Sequence, residues 1–251
     1  MQFRGAVHFA ERVNAHFTRR IPIKRLPSRL TRSVVSFTFD DFPKSAWSAG
    51  GPILAKYGAV ATYFVAGVFC GATIDGLEYY DESDLKSLHA NGHEIGSHGF
   101  AHRNVRRFPS RMLLEDVAKN EDFIRTCIGD VVPTTFAYPF GETSLRTKAL
   151  FGRRFACCRG GEFGLNRDAL DLGQLSVVSL ESRLWTPAAI DSCVAQALRT
   201  PSWIIFVTHE IEDNPRPWGS THAMLDQTLA KCRDAKLEIM TVKDALALAC
   251  F

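Results

Sequence analysis

Short runs rich in β-branched and aromatic residues alternate along this chain with stretches of helical length, and that alternation constrains the fold more than any other feature. Strands are expected at 34–39, 59–65, 93–97, 134–138, 155–158, 175–180, 202–208 and 237–240. Helices are expected between them: 46–57 closed by Gly58, a helix capped by Asp81 or Ser83 and closed by Gly92, and a long one opened by Ser110 and closed by Gly129. Further helices follow over 143–151, after Thr186 with Pro187 at its first position, after Ser220, and at the C-terminus. Parallel strands cannot be joined by tight turns and need crossovers of this length. Seven or eight such units predict a parallel sheet with helices outside it, closed or nearly closed into a barrel. The stretch 159–173, rich in Gly and Asn, reads as an irregular loop.

Composition agrees with one large domain. The chain has 251 residues, 46% of them apolar and 23% charged, which suits an α/β barrel of roughly 250 residues, although two small domains are also compatible. The net charge of +3 is unevenly spread: residues 1–32 hold eight Arg or Lys and one Glu, which leaves the remainder acidic. That excludes a basic nucleic-acid-binding body. Two parts are therefore expected, a basic leader over 1–32 and a single large domain over 33–251. Phe3, Val7, Ala10, Val13 and Phe17 fall at helical spacing within the leader, and Pro22 and Pro27 mark a linker. Such a helix packs on its own domain more often than it lies on an anionic membrane surface, which is the weaker alternative. No apolar run reaches the ~18 residues of a membrane span and no secretory h-region is evident, so a cytoplasmic location is expected. Seven cysteines without a C-x-x-C pair read as reduced, mostly buried thiols.

The polar residues that carry chemistry fall at the predicted strand ends. Asp40 and Asp41 close the first strand, His98 and His102 follow the third, Tyr138-Pro139-Phe140-Gly141 follows the fourth, and His209 follows Ile204-Ile205-Phe206-Val207-Thr208. In a parallel barrel all of these points lie on the C-terminal face, where βα loops build active sites. An H-x-x-x-H pair alone is more often two loop histidines. With Asp41 on the same rim it becomes two nitrogens and one oxygen, a ligand set suited to a catalytic zinc with an open position. Two adjacent carboxylates repel, and a cation offsets that repulsion. Asp40 is then free to act as base and His209 as general acid. Proline donates nothing, so Phe140 carries the first N–H of its turn available to an oxyanion. His8, His16, His89, His93 and His222 are assigned no role.

Thr38-Phe39-Asp40-Asp41, Ser97-His98-Gly99-Phe100-Ala101-His102, Phe136-Ala137-Tyr138-Pro139-Phe140-Gly141, Glu181-Ser182-Arg183-Leu184-Trp185 and Val207-Thr208-His209 resemble, in order, the five motifs of the NodB-homology polysaccharide deacetylases, carbohydrate esterase family 4. The likeness spans about residues 33–250 and is most specific in the first two motifs and the last. It implies a distorted (β/α)7 barrel and a divalent metal, usually zinc, held by Asp41, His98 and His102. Asp40 would be the base, His209 the acid and the Phe140 amide part of the oxyanion hole. Trp185 and Val207 would hold the acetyl methyl. Tyr138 would line the substrate site, and Trp218, in the loop Asn214-Pro215-Arg216-Pro217-Trp218-Gly219, would contact substrate. Two positions depart from the pattern. Ala137 stands where an arginine usually orients the catalytic Asp, and Leu184 where an acidic residue usually tunes the acid histidine. Arg183 is the candidate to supply orientation instead.

The resulting expectation is metal-dependent hydrolysis of the N-acetyl amide of an N-acetylated sugar oligomer, of chitooligosaccharide or polysaccharide type. Two alternatives stand beside it: hydrolysis of a non-sugar cyclic amide, and a catalytically impaired carbohydrate-binding relic motivated by Ala137 and Leu184.

Overall fold

The computed structural model describes residues 21–129 and 131–250. The helix expected over 3–17 lies outside the described residues. Seven parallel strands close a barrel: β2 (Val34–Asp40), β3 (Thr62–Val65), β6 (Glu94–Ser97), β7 (Thr135–Ala137), β8 (Cys157–Phe163), β10 (Leu175–Ser179) and β11 (Trp203–Thr208). β11 pairs with β2 along its length, from Trp203 opposite Val34 to Thr208 opposite Phe39, and this pairing closes the ring. On the other side of β2, β3 covers only Thr38 to Asp40, and β12 (Glu238–Ile239) fills the gap beside Val34 and Val35. The expected parallel (β/α)7 barrel is therefore what the chain forms, and its register shifts between β8 and β10 at Leu175 and Val177.

Side chains alternate across each strand. Val35, Phe37 and Phe39 of β2 face the helices and pack with Leu54, Leu225 and Leu229. Val34 faces inward with Phe64, Ala137, Trp203, Ile205 and Val207. Inside the barrel, the Trp203 indole N–H donates to Ser36 Oγ at 3.0 Å. The same alternation aims Asp40, Ala137, Arg159, Ser179 and Val207 toward the axis near the C-terminal end. Gly96 on β6 is inward too, and a Cβ there would come within 2.5 Å of the Phe64 ring. The opposite end is closed by α8 (Val242–Cys250), whose Val242, Ala245, Leu246 and Ala249 join the inner core.

The outer helices begin as the capping signals require. They are α1 (Ser45–Ser48), α2 (Gly50–Lys56), α3 (Glu82–Ala90), α4 (Ser110–Ile128), α5 (Leu145–Arg154), α6 (Pro187–Arg199) and α7 (His222–Asp234). Asp81 and Asp84 form a reciprocal capping box, as do Ser144 and Thr147, and Thr186 caps α6 with Pro187 in its first turn. The helix expected over 46–57 is split into α1 and α2. The cap of α7 is Thr221 rather than Ser220, because the Ser220 hydroxyl is bonded to Leu180 O and Thr208 Oγ, where it ties two strand ends together.

Two expectations about loops are corrected. The stretch 159–173 is not irregular throughout: β8 runs on to Phe163, and β9 (Ala169–Asp171) pairs antiparallel with β1 (Arg25–Pro27). The segment read as a linker thus contains a strand. Lys24 Nζ reinforces it by donating to Phe155 O and Ala156 O. A hairpin of β4 (Thr73–Ile74) and β5 (Leu77–Glu78) stands above the barrel between β3 and α3 in sequence.

Candidate active site

The C-terminal face holds a cavity of about 350 Å³ lined by Asp40, Asp41, His98, His102, Phe140 and His209. The backbone is forced into left-handed conformations at this face: φ is 60° at Asp41, 58° at Phe42, 46° at His102 and 62° at Phe140. Such angles cost about 1–3 kcal/mol each in non-glycine residues, and they persist where the surrounding fold imposes them. Here they turn the Asp41 carboxylate, the His102 imidazole and the Phe140 amide toward one space.

Asp41 Oδ1 lies 3.0 Å from His102 Nε2 and 3.3 Å from His98 Nε2. It is buried, and no hydrogen bond reaches it. Burial acts to raise the Asp41 pKa, but the two imidazoles prevail and hold it well below the carboxylate range. His98 Nδ1 is 2.8 Å from Ala137 O. A carbonyl only accepts, so Nδ1 carries a proton and Nε2 is the ring nitrogen that faces Asp41. One donor atom from each of Asp41, His98 and His102 lies within 4.8 Å of the others. An orphaned carboxylate oxygen facing two imidazole nitrogens is the donor chemistry of a divalent-cation site, and the residues present fit one.

The loop between the two histidines is shaped by Asp116 on α4, whose carboxylate accepts from the Phe100 N–H at 2.9 Å and the Ala101 N–H at 3.1 Å. Gly99 has φ 72°, and a Cβ there would come within 2.7 Å of Asp116 Oδ2. Asp116→Ala should lower cation affinity about 10–100-fold, as loss of an outer-shell support does elsewhere. Calorimetric titration of the stripped protein with Zn²⁺ measures this. Unchanged affinity with only a lower melting temperature would show that Asp116 serves the fold and not the site.

Asp40 is buried at the end of β2 and is paired with the Arg159 guanidinium from β8 through Nη2. Arg159 is itself buried, donates from Nη1 to Gly160 O at 3.1 Å, and lies over the Phe64 ring. Burial acts to raise the Asp40 pKa, but the positive charge of Arg159, helped by His98 and His209, brings it below its ordinary value. Ala137 and Arg159 are register partners on β7 and β8. The orienting cation absent at Ala137 is thus supplied one strand over. Arg183, the candidate named from sequence, instead pairs with Glu181 and stacks over Trp218 at 3.6 Å.

The remaining expected site residues divide. Phe140, Val207, His209 and Trp218 line the cavity. Phe140 N–H donates to no acceptor among the described residues, while the flanking Gly141 N–H donates to Tyr138 O at 2.8 Å. His209 Nε2 stands 4.0 Å from Asp41 Oδ2, on the same cavity as Asp40. Tyr138 and Trp185 do not line the cavity. The Tyr138 ring packs among Phe136 and Phe151 and its hydroxyl donates to Gly173 O, and the Trp185 indole N–H donates to Thr228 Oγ1 on α7. Leu184, more than half exposed, takes the wall position that Trp185 was expected to fill. Arg159 and Asp116 went unassigned in the sequence; the signal for Arg159 was an inward-facing charge two residues beyond Cys157 on an extended strand.

The model of the polysaccharide deacetylase family matches residues 28–152. A chitin deacetylase of Arthroderma benhamiae is 30% identical over 109 residues, 42% of this chain and 27% of that protein. The peptidoglycan-N-acetylmuramic acid deacetylase PdaC of Bacillus subtilis is 30% identical over 111 residues, 44% of this chain and 22% of that protein. The chain thus matches about a quarter of the length of these relatives. Among solved structures, a family 4 carbohydrate esterase from Bacillus anthracis superposes with a TM-score of 0.59 at 16% identity, covering 88% of this chain and 86% of that one. A family 4 acetyl xylan esterase from Clostridium thermocellum, in complex with cobalt, gives 0.58 at 21% identity, covering 86% and 91%. These likenesses carry the fold.

Proposed function

Because the chain belongs to the polysaccharide deacetylase family, we propose that it hydrolyses the N-acetyl amide of an N-acetylated sugar oligomer and releases acetate, with zinc as the divalent cation on Asp41, His98 and His102. The observation that carries the reading is that Asp40, paired with Arg159, and the His209 imidazole line the same cavity as that ligand set. When bound there, the cation supplies Lewis acidity toward the acetamide carbonyl and the attacking water. Asp40, kept anionic and aimed by Arg159, accepts the proton that the water gives up as it attacks. The Phe140 N–H donates to the carbonyl oxygen as it gains charge. The His209 Nδ1–H donates to Trp218 O, which leaves Nε2 facing the cavity, and it is the Nε2–H of the imidazolium that passes to the departing amine nitrogen. Val207 gives the acetyl methyl an apolar wall.

The relic reading rested on two missing charged groups. Arg159 fills the place of the first, and the Trp218 carbonyl takes the histidine contact of the second, which favours catalysis over binding alone. A cytoplasmic location belongs to the same proposal. It is supported by all seven cysteines being free, five of them buried. No helix among the described residues is long and apolar enough to cross a membrane.

Metal analysis of the purified protein, paired with an acetate assay on short N-acetylglucosamine oligomers, tests the reading. Sugar binding without acetate release would overturn it, and ring opening of small imides in its place would identify a cyclic amide as the substrate. Asp40→Asn is expected to keep a full equivalent of metal while kcat falls about 10²–10⁴-fold, the usual contribution of a general base. Near-normal turnover by that variant would move the base elsewhere.

A further inference from the structure

His209 is held by a backbone carbonyl, and a carbonyl is only as well placed as the loop that carries it. Trp218 O accepts from the His209 Nδ1–H at 3.1 Å. Its loop, 213–219, folds back over Glu210, a carboxylate 2% exposed that is the residue next to the histidine. Glu210 Oε1 accepts from the Arg216 N–H at 2.7 Å. Gly219 rests on the same side chain so closely that a Cβ there would stand 2.4 Å from Glu210 Cδ. Ser220 N–H donates to Glu210 O at 2.9 Å and Gly219 N–H to Arg216 O at 3.0 Å, so the loop is a closed turn wrapped around one carboxylate. Outer contacts come from Ser182, whose N–H donates to Gly219 O and whose hydroxyl donates to Arg216 O, and from the Arg216 guanidinium, which reaches Asp75 O at the tip of the β4–β5 hairpin.

We propose that Glu210 is a positioning residue for His209: buried beneath the 213–219 loop, it sets the Trp218 carbonyl that fixes the imidazole tautomer. This rests on the reading of His209 as the proton donor to the leaving amine. A carboxylate bonded directly to an imidazole would both orient it and stabilise its charged form. Here the carboxylate sits one step back and acts through a neutral carbonyl. Orientation is retained, while Glu210 makes no bond to the ring itself. The role asks of residue 210 an acceptor of the right size under the Arg216 amide, and its negative charge is secondary.

The test uses full-length protein labelled with ¹⁵N-histidine, loaded with Zn²⁺, in which His209 is assigned by its loss in His209→Gln. The wild type should show the Nδ1–H tautomer of neutral His209. Glu210→Ala should shift the signal toward a mixture of tautomers and lower kcat about 10–100-fold, part of the ~10²–10⁴ that a placed general acid contributes, with a smaller change in KM and unchanged metal content. Glu210→Gln, whose amide oxygen can accept from the Arg216 N–H, should keep the tautomer and restore kcat to within a few-fold of wild type. Gly219→Ala, which pushes the loop off an intact Glu210, should reproduce the tautomer shift and serves where the alanine variant does not fold. A wild-type tautomer in Glu210→Ala or in Gly219→Ala overturns the proposal, as does Glu210→Gln damaged as severely as the alanine variant. If the wild type turns over no acetylated sugar, the tautomer shift still decides this point, and the functional reading alone falls.

Discussion

Asp41→Asn is expected to lose zinc binding by at least about a hundredfold and acetate release by at least about a thousandfold, the latter corresponding to roughly 4 kcal/mol of transition-state stabilisation. Asn keeps the volume of the side chain and tolerates the left-handed backbone that φ 60° at this position demands. Its melting temperature without metal should therefore stay near that of the wild type. Asp41→Ala should be as inactive and also less stable, because alanine in that conformation adds about 1–2 kcal/mol of strain. His98→Ala and His102→Ala should reach the same inactive endpoint. Pairs of these substitutions should be no worse than single ones, since groups that act as one unit lose their effect together. Chelation of the wild type should match the variants in acetate assays, and adding Zn²⁺ back should restore only the wild type. Full activity in the chelated wild type, verified by metal analysis, would remove the cation from the proposed chemistry.

The alternation of strands and helices was legible because each buried parallel strand is a continuous apolar run, and because Asp81 and Thr186 carry their capping signals in the sequence itself. The convergence of Asp40, Asp41, His98, His102, Phe140 and His209 on one cavity was legible for a topological reason: in a parallel barrel all strand ends share one face. What stayed hidden depends on height and direction within that face. Arg159 was lost because glycines at 160 and 161 make β8 read as ending at Cys158, although the strand continues and alternation carries residue 159 inward. Trp185 was placed on the cavity wall by motif position, but the turn after Leu180 rotates Leu184 into that wall and sends the indole toward Thr228. Asp116 and Glu210 act on backbone amides of loops distant from or folded back over them, and nothing in local spacing announces such contacts. The strand β1 was missed because its partner, β9, is more than 140 residues away.

Arg159→Ala is expected to cost about 3–5 kcal/mol of stability, because it strands the Asp40 carboxylate in a buried site without its counter-charge. For a chain of this size that is a fall in melting temperature of roughly 10 °C. Turnover should fall as well, since Asp40 would lose both its aim and the charge that holds its pKa down, while the Asp41, His98 and His102 cation site should still fill. Arg159→Met combined with Asp40→Asn removes both charges. It should recover most of the lost stability and none of the activity, and so separate the cost of an unpaired charge from the loss of the base. The decisive variant places the arginine one strand away. Ala137 is the register partner of Arg159 on the neighbouring strand and faces the same interior, so Ala137→Arg in the Arg159→Ala background offers a guanidinium to Asp40 from the adjacent side, in space that the alanine vacates. Partial return of kcat together with melting temperature in that double variant is the expected result. It would mean that the barrel requires a cation beside Asp40 and is tolerant of which strand provides it. If stability returns but turnover does not, the angle from β8 is itself required. If Arg159→Ala alone retains wild-type kcat, the arginine is a structural counter-ion and the orientation of Asp40 comes from its own strand.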